Sequence, residues 1–230
     1  PHLDRMAAGG MRFTQHYAGS TVCAPSRCVL LTGMHGGHCR IRGNSPEEIL
    51  SAEDTTTAEV LKSAGYATGC VGKWGVGHVP PPNDPADNGF DYFFGYLNMI
   101  AAHNYYPEFL WRNGQKIYLE NKVNYAPEGY AKGVGGVSSN KAEYSHDLFT
   151  EVALDFIQRR REKPFFLYLA YTIPHANNEA GSGGMEVPDY GRYKNKPWPD
   201  AQKGHAAMIS RMDRDIGRLL AELKRLGIEK

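Results

Sequence analysis

Apolar residues recur at helical spacing in the second half of the chain. Leu148, Val152 and Phe156 are each four residues apart, which places their side chains on one face of an amphipathic helix. The segment from Met208 to Leu223 repeats this period over a longer stretch. Two helices are therefore predicted here, and we expect Ser145 to cap the first of them.

Shorter helices are predicted in the first half from residues that suit helix ends. Pro25 fits the first position of a helix that ends at Gly33, because the missing N–H of proline has no partner at that position anyway. Thr55 to Ala64 begins with a threonine cap and is followed by Gly65, a common stop. Residues 3–7 also show helical spacing and predict a short helix near the start.

The remaining segments are predicted strands and loops. The apolar runs Tyr66 to Val71 and Phe165 to Ala170 predict buried strands, and Met11 to Tyr17 predicts a short one. Gly129 to Asn140 and Asn177 to Ala201 predict loops, the first of them mobile. Helices that alternate with apolar strands indicate an α/β fold, a mainly parallel sheet sandwiched between helices. In such folds functional side chains lie beyond the carboxyl ends of the strands.

Composition and charge exclude several classes of function. The 230 residues include 26 Lys and Arg and 25 Asp and Glu, a net charge of +1, so no overall field attracts nucleic acid or an anionic membrane. Hydrophobic residues at 41% and charged residues at 22% indicate a globular protein. No apolar run approaches the ~20 residues of a membrane span.

The four cysteines lack the C-x-x-C spacing of a structural zinc site and are too sparse for a disulfide scaffold. Cys28, Cys39 and Cys70 are predicted to be free or partly buried thiols. Cys23 differs because it precedes a predicted helix start, with Arg27 one turn further on. Free N–H groups, the helix dipole and a guanidinium form an anion site. Cys23 is therefore either a thiolate nucleophile of low pKa or a modified cysteine that faces an oxyanion.

The residues around this cysteine resemble a known signature. Cys23-Ala24-Pro25-Ser26-Arg27, followed by Leu31-Thr32-Gly33, matches C-x-P-S-R-x-x-x-[L/M]-T-G at seven specified positions in eleven residues. That string is typical of type I, formylglycine-dependent sulfatases, an arylsulfatase-like family of the alkaline phosphatase superfamily. Pro1 to Phe13 resembles the family segment upstream of the signature, and Gly65 to Trp74 resembles its second signature. Lys163 to His175 resembles the strand and loop that carry an active-site histidine.

The resemblance implies the family's fold and its covalent mechanism. A formylglycine-generating enzyme, which reads a motif that includes Pro25 and Arg27, would oxidise Cys23 to an aldehyde that hydrates to a diol. One diol oxygen, held on a metal, attacks sulfur and displaces the alcohol, and deprotonation of the second hydroxyl then expels sulfate. Arg27 would steady the diol, and Lys73 would bind a sulfate oxygen in the transition state. His175 would serve the ester oxygen as a proton or hydrogen-bond donor.

The sequence departs from the family pattern at Gly75, where many members have a histidine two residues after the signature lysine. We expect His78 or His103 to supply that imidazole from a nearby loop and to contact the substrate. His35 and His38, just after the signature helix, are further candidates for the substrate side.

The resemblance also implies a divalent cation, usually calcium, for which Cys23 is the one ligand assigned in this chain. The family's acidic pair on the first strand and its Asp/Asn pair after a later strand would both lie outside residues 1–230. The chain is therefore expected to be a partial catalytic domain, truncated at both ends and poorly active alone. A hard cation takes about six or more oxygen ligands, and Asp84, Asp87 and Asp91 are expected to be solvated loop residues instead.

These expectations lead to a sulfuric ester hydrolase that acts on a carbohydrate or aryl sulfate. The aromatic stretches Phe90 to Trp111 and Tyr190 to Trp198 suit sugar stacking and favour a carbohydrate. Two alternatives stay open, a phosphonate or phosphate ester hydrolase with the same apparatus and a non-catalytic binder of sulfated glycans. Family habit implies a periplasmic or secreted protein. Its expected partners are a sulfated small molecule or glycan and a formylglycine-generating enzyme, without nucleic acid or a membrane span.

Overall fold

The computed structural model describes residues 1–45, 48–77 and 84–229. Within these ranges the chain forms five α-helices, namely α1 (His2–Gly9), α2 (Cys23–Thr32), α3 (Thr57–Ser63), α4 (Ser145–Arg160) and α5 (Asp200–Leu226). The same ranges contain seven strands, β1 (Ala67–Lys73), β2 (Tyr92–Tyr96), β3 (Phe109–Arg112), β4 (Gln115–Tyr118), β5 (Lys122–Tyr125), β6 (Gly136–Asn140) and β7 (Phe165–Ala170).

Five of the strands form one mixed sheet in the order β4-β3-β2-β1-β7. Strands β2, β1 and β7 are parallel, and Cys70 in β1 pairs with Phe93 of β2 on one side and Tyr168 of β7 on the other. Strands β3 and β4 continue the sheet beyond β2 in antiparallel pairs, while β5 and β6 form a separate two-stranded sheet. The predicted α/β fold is confirmed, and its parallel part comprises these three strands. The antiparallel edge is an addition that the sequence pattern did not indicate.

Helices cover both faces of the central strands. On one face Cys70 of β1 packs in a core with Ala24 and Leu31 of α2 and with Ala58 of α3. On the opposite face the next residue, Val71, packs in a core that includes Phe149 of α4. Because successive side chains of a strand point to opposite faces, one apolar strand serves two cores, as the continuous apolar run predicted.

Local sequence explains where most helices begin and end. The side chain of Thr56 accepts a hydrogen bond from the backbone N–H of Glu59 at 3.2 Å, and the Glu59 carboxylate accepts one from the Thr56 N–H at 2.7 Å. This capping box starts α3 and confirms the predicted threonine cap. Helix α2 ends at Gly33, whose φ of 67° is left-handed. The predicted cap of α4 is wrong, because Tyr144 precedes the helix and Ser145 is already its first residue.

Three sequence-based predictions about segments are corrected. Met11 to Tyr17 is not a strand, and its side chains are exposed, because no other described strand runs beside it. Gly129 to Asn140 is not entirely loop, since β6 occupies its end and pairs with β5. The aromatic stretch Phe90 to Trp111 is mostly core rather than sugar-facing surface. Among its rings Phe93 and Tyr105 are 1% and 0% exposed.

The prediction of free thiols is wrong for two of the cysteines. Cys28 in α2 forms a disulfide with Cys39, and their Cα atoms lie 6.7 Å apart, within the usual bridging range. The chain turns back after α2 through a turn in which the Cys39 N–H donates to the carbonyl of His35 at 3.0 Å. Cys23 and Cys70 stay free. The described residues contain no helix long and apolar enough to cross a membrane.

Candidate active site

A cavity of about 570 Å³ opens where β1 and β7 end and α2 begins. Lys73 is the last residue of β1, Cys23 is the first residue of α2, and His175 follows β7 after a short loop. These side chains line the cavity together with Arg27 and His103. Four candidates from the sequence, Cys23, Arg27, Lys73 and His175, and one of the two proposed replacement histidines therefore meet in one place.

The first turn of α2 holds Cys23 at the mouth of the cavity. Val22 has an extended backbone and precedes the helix, which begins two residues before Pro25. The side-chain oxygen of Asn44 accepts a hydrogen bond from the Ala24 N–H at 2.9 Å and thus satisfies one free donor of the helix end. The Tyr130 hydroxyl donates to the Asn44 carbonyl at 2.9 Å, which anchors this contact from a distant loop.

Three nitrogen donors around Cys23 make its thiol unusually acidic. Hydrogen bonds from His103 and then from His175 lower the pKa of Cys23 from 9.0 to about 4, and the charge and hydrogen bond of Lys73 add to this effect. Partial burial acts in the opposite direction, because desolvation disfavours a thiolate. The cavity is thus built to stabilise negative charge at residue 23.

Lys73 lies inside the protein and not on its surface. Its side chain belongs to a residue only 4% exposed, and it follows Gly72 at the end of β1. Burial, and next the positive charge of Arg27, lower the pKa of Lys73 to about 8, while the negative charge of Cys23 opposes the shift. Lys73 is therefore a buried cation that has residue 23 as its main negative partner. Such a cation can bind an anion in this cavity.

Arg27 fills the space beside Lys73 and explains the glycine at position 75. Its Nη1 donates to the Lys73 carbonyl at 2.5 Å and to the Tyr168 hydroxyl at 3.3 Å. A Cβ on Gly75 would lie 3.1 Å from Cδ of Arg27 and 3.3 Å from Cε of Lys73, and the φ of Gly75 is +73°. A side chain here would be crowded and its backbone strained.

The two histidines of the cavity stack on each other. Their ring centroids are 5.0 Å apart and the planes differ by 12°. Nδ1 of His175 lies 2.6 Å from the Ala176 carbonyl oxygen, and the Tyr105 hydroxyl donates to the carbonyl of His175. The hydrogen bond with Cys23 raises the pKa of His175 above its usual value. Both rings are therefore held in place around residue 23.

His35 and His38 do not join this cluster. His78 lies outside the described residues, so its expected role stays a prediction. His35 and His38 lie in the turn after α2 and do not line the described cavity. Nδ1 of His35 instead accepts from the Gly37 N–H at 3.1 Å. His103, the one of the two proposed histidines that lies within the described residues, lines the cavity and hydrogen-bonds Cys23.

Several residues of the cavity wall were missed by sequence reasoning. Tyr168, Tyr171 and Thr172 lie within the stretch that resembles the family's histidine-bearing strand and loop, but they were not named as site residues. Met99, Tyr130 and Asn178 come from segments that carry no motif. The sequence does contain an indication for Tyr168. This residue lies two positions before the end of a predicted strand, where side chains reach the carboxyl edge of the sheet. The tyrosines give the cavity amphipathic walls that suit a sugar ring as well as a sulfate group.

The described residues do not by themselves form a site for a divalent cation. They include no group of three or more His, Cys, Asp or Glu side chains that could hold a metal ion. Asp84 accepts from the Ala86 N–H at 3.1 Å, Asp87 is exposed, and Asp91 forms an ion pair with Lys62 at 2.8 Å. Asp84 and Asp91 therefore have local structural roles, and none of the three aspartates lines the cavity.

Comparisons with known proteins agree with this site. A sequence model of the Sulfatase family matches residues 1–230. The chain is 33% identical to N-acetylgalactosamine-6-sulfatase of Mus musculus over 251 residues, which cover 100% of this chain and 43% of the relative. It is 32% identical to N-acetylgalactosamine-6-O-sulfatase of Bacteroides thetaiotaomicron, over 80% of this chain and 46% of that protein.

A solved structure shows the same similarity in three dimensions. It belongs to work on the metabolism of multiple glycosaminoglycans by Bacteroides thetaiotaomicron. It superposes on this chain with a TM-score of 0.68 at 26% sequence identity. The match covers 99% of this chain and 54% of that one, so the chain spans about half the length of the proteins it matches. By sequence and by structure, the chain belongs to the sulfatase family.

Proposed function

We propose that the protein hydrolyses sulfate esters of a carbohydrate through a formylglycine made from Cys23. The observation that carries this proposal is the convergence of His103, His175 and Lys73 on the Cys23 side chain. The names of the relatives, N-acetylgalactosamine-6-sulfatases, support a sulfated sugar as substrate. Because the chain spans 43% of the mouse relative, the proposal concerns the protein of which this chain supplies the site.

The positive side chains of the cavity would bind the sulfate group. Lys73 has three N–H donors on a buried ammonium and is assigned to a sulfate oxygen. Arg27, fixed by the Lys73 carbonyl and the Tyr168 hydroxyl, adds a second fixed positive charge and steadies residue 23. Donors that are already in place stabilise developing negative charge without reorganisation, and removal of one typically costs about 10²–10³ in rate.

The two histidines would move protons at residue 23 and at the ester oxygen. Formylglycine, once formed, supplies a hydrated carbonyl with one hydroxyl that attacks sulfur and another whose deprotonation releases sulfate. His175 lies beyond the carboxyl end of β7, and its Nδ1–H donates to the Ala176 carbonyl. In the imidazolium form Nε2 also carries a proton, which it gives to the leaving alcohol oxygen, and the ring is left neutral with its remaining proton on Nδ1. His103, placed on the other side of the stacked pair, is assigned to the hydroxyl of residue 23.

Three further elements of the proposal concern partners, cation and compartment. A formylglycine-generating enzyme is the proposed modifying partner, because the signature around Cys23 is intact. A divalent cation, calcium by family habit, is proposed with its other ligands outside the described residues. A periplasmic or secreted location is proposed, and the disulfide between Cys28 and Cys39 supports it because such bonds persist in oxidising compartments.

The first experiment is a peptide mass spectrum across Cys23 after co-expression with a formylglycine-generating enzyme. We expect conversion of the thiol to the aldehyde at this position. The peptide that contains Cys70 should keep its thiol, which makes it an internal control in the same sample. A thiol that persists at Cys23, while a known sulfatase is converted in the same cells, would contradict the formylglycine proposal and favour a binder of sulfated glycans.

The second experiment compares matched esters as substrates of the converted protein. We expect hydrolysis of a 6-sulfated N-acetylgalactosamine substrate and a lower rate on a phosphonate ester with the same alcohol. A Cys23→Ala variant should lose hydrolysis by at least about 10³-fold, since the nucleophile is then absent. A faster reaction with the phosphonate ester would instead support the phosphonate hydrolase alternative.

A further inference from the structure

The ring of His103 has a second polar neighbour besides Cys23, the carboxylate of Glu179. Oε2 and Oε1 of Glu179 lie 3.2 and 3.3 Å from Nδ1 of His103. The side chains are only 8% exposed for the histidine and 13% for the glutamate, so water screens the contact little. Neither the signature nor the spacing of the sequence indicated Glu179.

The fold holds Glu179 firmly in this position. The side-chain oxygen of Asn177 accepts a hydrogen bond from the Glu179 N–H at 3.2 Å. Asn177 is itself fully buried, and its amide donates to the Gly136 carbonyl at 3.0 Å and to the Glu186 carboxylate at 3.1 Å. A Cβ on Gly135 would lie 2.9 Å from Cδ of Glu179, so the glycine provides the space that the carboxylate occupies.

This contact fixes which nitrogen of His103 carries the proton. An ionised carboxylate only accepts hydrogen bonds, so Nδ1 of His103 is the donor in this contact and Nε2 faces residue 23. Toward the Cys23 thiolate Nε2 carries a proton and donates it in a hydrogen bond, whereas toward a hydroxyl of formylglycine Nε2 offers its lone pair. At His175 a neutral carbonyl, that of Ala176, accepts from Nδ1. The two stacked rings therefore present the same nitrogen to residue 23, but a negative charge stands behind the ring of His103 alone.

We propose that Glu179 is a positioning residue that makes His103 the proton acceptor of this site. With Nδ1–H held by the carboxylate, the lone pair of Nε2 faces residue 23 and takes a proton from an oxygen there. The O–H bond breaks, an N–H bond forms at Nε2, and the electron pair stays on the oxygen. The carboxylate stabilises the imidazolium that results, as in other nucleophile–base–orienter arrangements. This inference rests on the proposed function, because the oxygen belongs to formylglycine at residue 23.

The arrangement also accounts for the glycine at position 75. The histidine that many family members have there would emerge from the turn beside Lys73, where Arg27 leaves little space for a side chain. His103 approaches from a short 3₁₀ turn, Ala101–His103, and needs its own support because it lies on a different segment. Glu179 supplies that support from a third segment. Histidine and glutamate thus form a unit that takes over the missing role.

The test compares Glu179→Gln and Glu179→Asp with Glu108→Gln as the matched control. Glu108 is also a hydrogen-bonded carboxylate, which accepts from the Val123 N–H at 3.0 Å and the Tyr125 hydroxyl at 3.1 Å, but it has no contact with a histidine of the cavity. The glutamine variant keeps the volume of the side chain, so unfolding is not expected and is checked by thermal melting. The aspartate variant keeps the charge.

The first readout is the ¹⁵N NMR spectrum of the His103 ring in the protein with an unmodified Cys23. We expect Nδ1 to be protonated in the parent protein, in addition to the Nε2 that donates to the Cys23 thiolate. In Glu179→Gln the amide N–H₂ can donate to Nδ1, so the fraction of His103 with a protonated Nδ1 should fall. In Glu108→Gln the His103 signals should stay unchanged. Identical Nδ1 protonation of His103 in the parent and the Glu179→Gln variant would overturn the proposal, whether or not the protein hydrolyses sulfate.

The second readout is the division between kcat and KM in the converted enzyme. For Glu179→Gln we expect kcat to fall by about 10- to 100-fold, the usual loss when an orienting partner is removed, with KM changed by less than about threefold. Glu179→Asp should lose less, and Glu108→Gln should stay within about twofold of the parent. A kcat of Glu179→Gln equal to that of the parent would also overturn the proposal. A parent protein without any sulfatase activity contradicts the proposed function instead, and the NMR readout then still decides on Glu179.

Discussion

The two free cysteines, Cys23 and Cys70, lie in contrasting surroundings. Cys23 begins α2 at the edge of the cavity, and the hydrogen bonds of two histidines and a lysine lower its pKa to about 4. Cys70 lies in the middle of β1 with 0% exposure, and burial raises its pKa far above the usual range, although the charge of Arg27 opposes the shift. The same functional group is thus a stable anion in one place and a neutral apolar filler in the other.

Oriented donors, rather than exposure, decide the charge of a thiol here. Cys23 is itself partly buried, and its burial works against ionisation. The donors of His103, His175 and Lys73 outweigh that penalty because their N–H groups point at the sulfur atom. The charge of Arg27 opposes the raised pKa of Cys70, but no hydrogen-bond donor acts on this thiol in the same way. A cavity that stabilises a thiolate in this way can also hold a sulfate oxygen.

The largest effect is expected in alkylation of the unmodified protein by iodoacetamide. A pKa lowered to about 4 means that the thiolate of Cys23 is present above about pH 4 and is lost below it. Its alkylation rate should therefore be nearly constant from pH 6 to pH 8, whereas an ordinary thiol reacts about tenfold faster per pH unit there. Cys70 should react at least about 10³-fold more slowly, because it is accessible only when the protein opens.

Peptide mapping of the alkylated protein distinguishes the two sites, and iodoacetamide in 6 M urea serves as the control that both thiols are present. A tenfold rise of the Cys23 rate per pH unit between pH 6 and pH 8 would show an ordinary thiol and contradict the donor arrangement. Equal rates for both cysteines under native conditions would contradict the burial of Cys70.

A smaller but still large effect is expected from Lys73→Met. The variant removes a buried ammonium that hydrogen-bonds residue 23 while it keeps an unbranched side chain. Hydrolysis of the sulfate ester should fall by about 10²–10³-fold, the usual cost of one lost donor to developing charge. In the unmodified protein the pKa of Cys23 should rise, because one of the groups that stabilise the thiolate is missing.

Lys116→Met is the matched control for that change. Nζ of Lys116 lies 4.1 Å from the centre of the Phe109 ring, on the antiparallel edge of the sheet and away from Cys23. Both variants lose one lysine, but the kcat/KM of Lys116→Met should stay within about twofold of the parent. A similar loss of activity in both variants would mean that general charge, and not the position of Lys73, determines the rate.

Short segments that determine their own conformation were the most predictable parts of the fold. The signature around Cys23 predicted the helix that ends at Gly33, but the helix begins at Cys23 and not at Pro25 as predicted. The apolar runs that became β1 and β7 predicted the parallel part of the sheet, and with it the edge where Lys73 and His175 meet. These contacts follow from local propensity and from the rule that parallel strands end at one edge.

Features that depend on long-range packing were not predictable from one sequence. Glu179 lies 76 residues from His103, and no spacing rule connects them. The pairing of Cys28 with Cys39 depends on the turn that follows α2, and single-sequence spacing does not encode that turn. Met11 to Tyr17 has the composition of a strand, but a strand also needs a neighbour, and no other described strand lies beside it.

The smallest effect concerns the stability of the protein when Cys70, the buried cysteine, is replaced. Cys70→Ala removes a sulfur atom from a packed core and should lower the free energy of unfolding by about 1–2 kcal/mol. Cys70→Ser keeps nearly the same volume but buries a hydroxyl among apolar neighbours such as Phe93 and Ala58, and an unsatisfied hydroxyl adds about 1–3 kcal/mol. The serine variant should therefore be the less stable of the two. Cys23→Ser removes a thiolate that the donors of the cavity stabilise and that faces the buried ammonium of Lys73. It should therefore also lower the free energy of unfolding above about pH 4, and less so below it. Urea denaturation of the three variants measures these differences. A Cys70→Ser variant as stable as the parent would show that this part of the core offers hydrogen-bond partners. The surroundings of Cys70 would then not be the apolar environment inferred from its pKa.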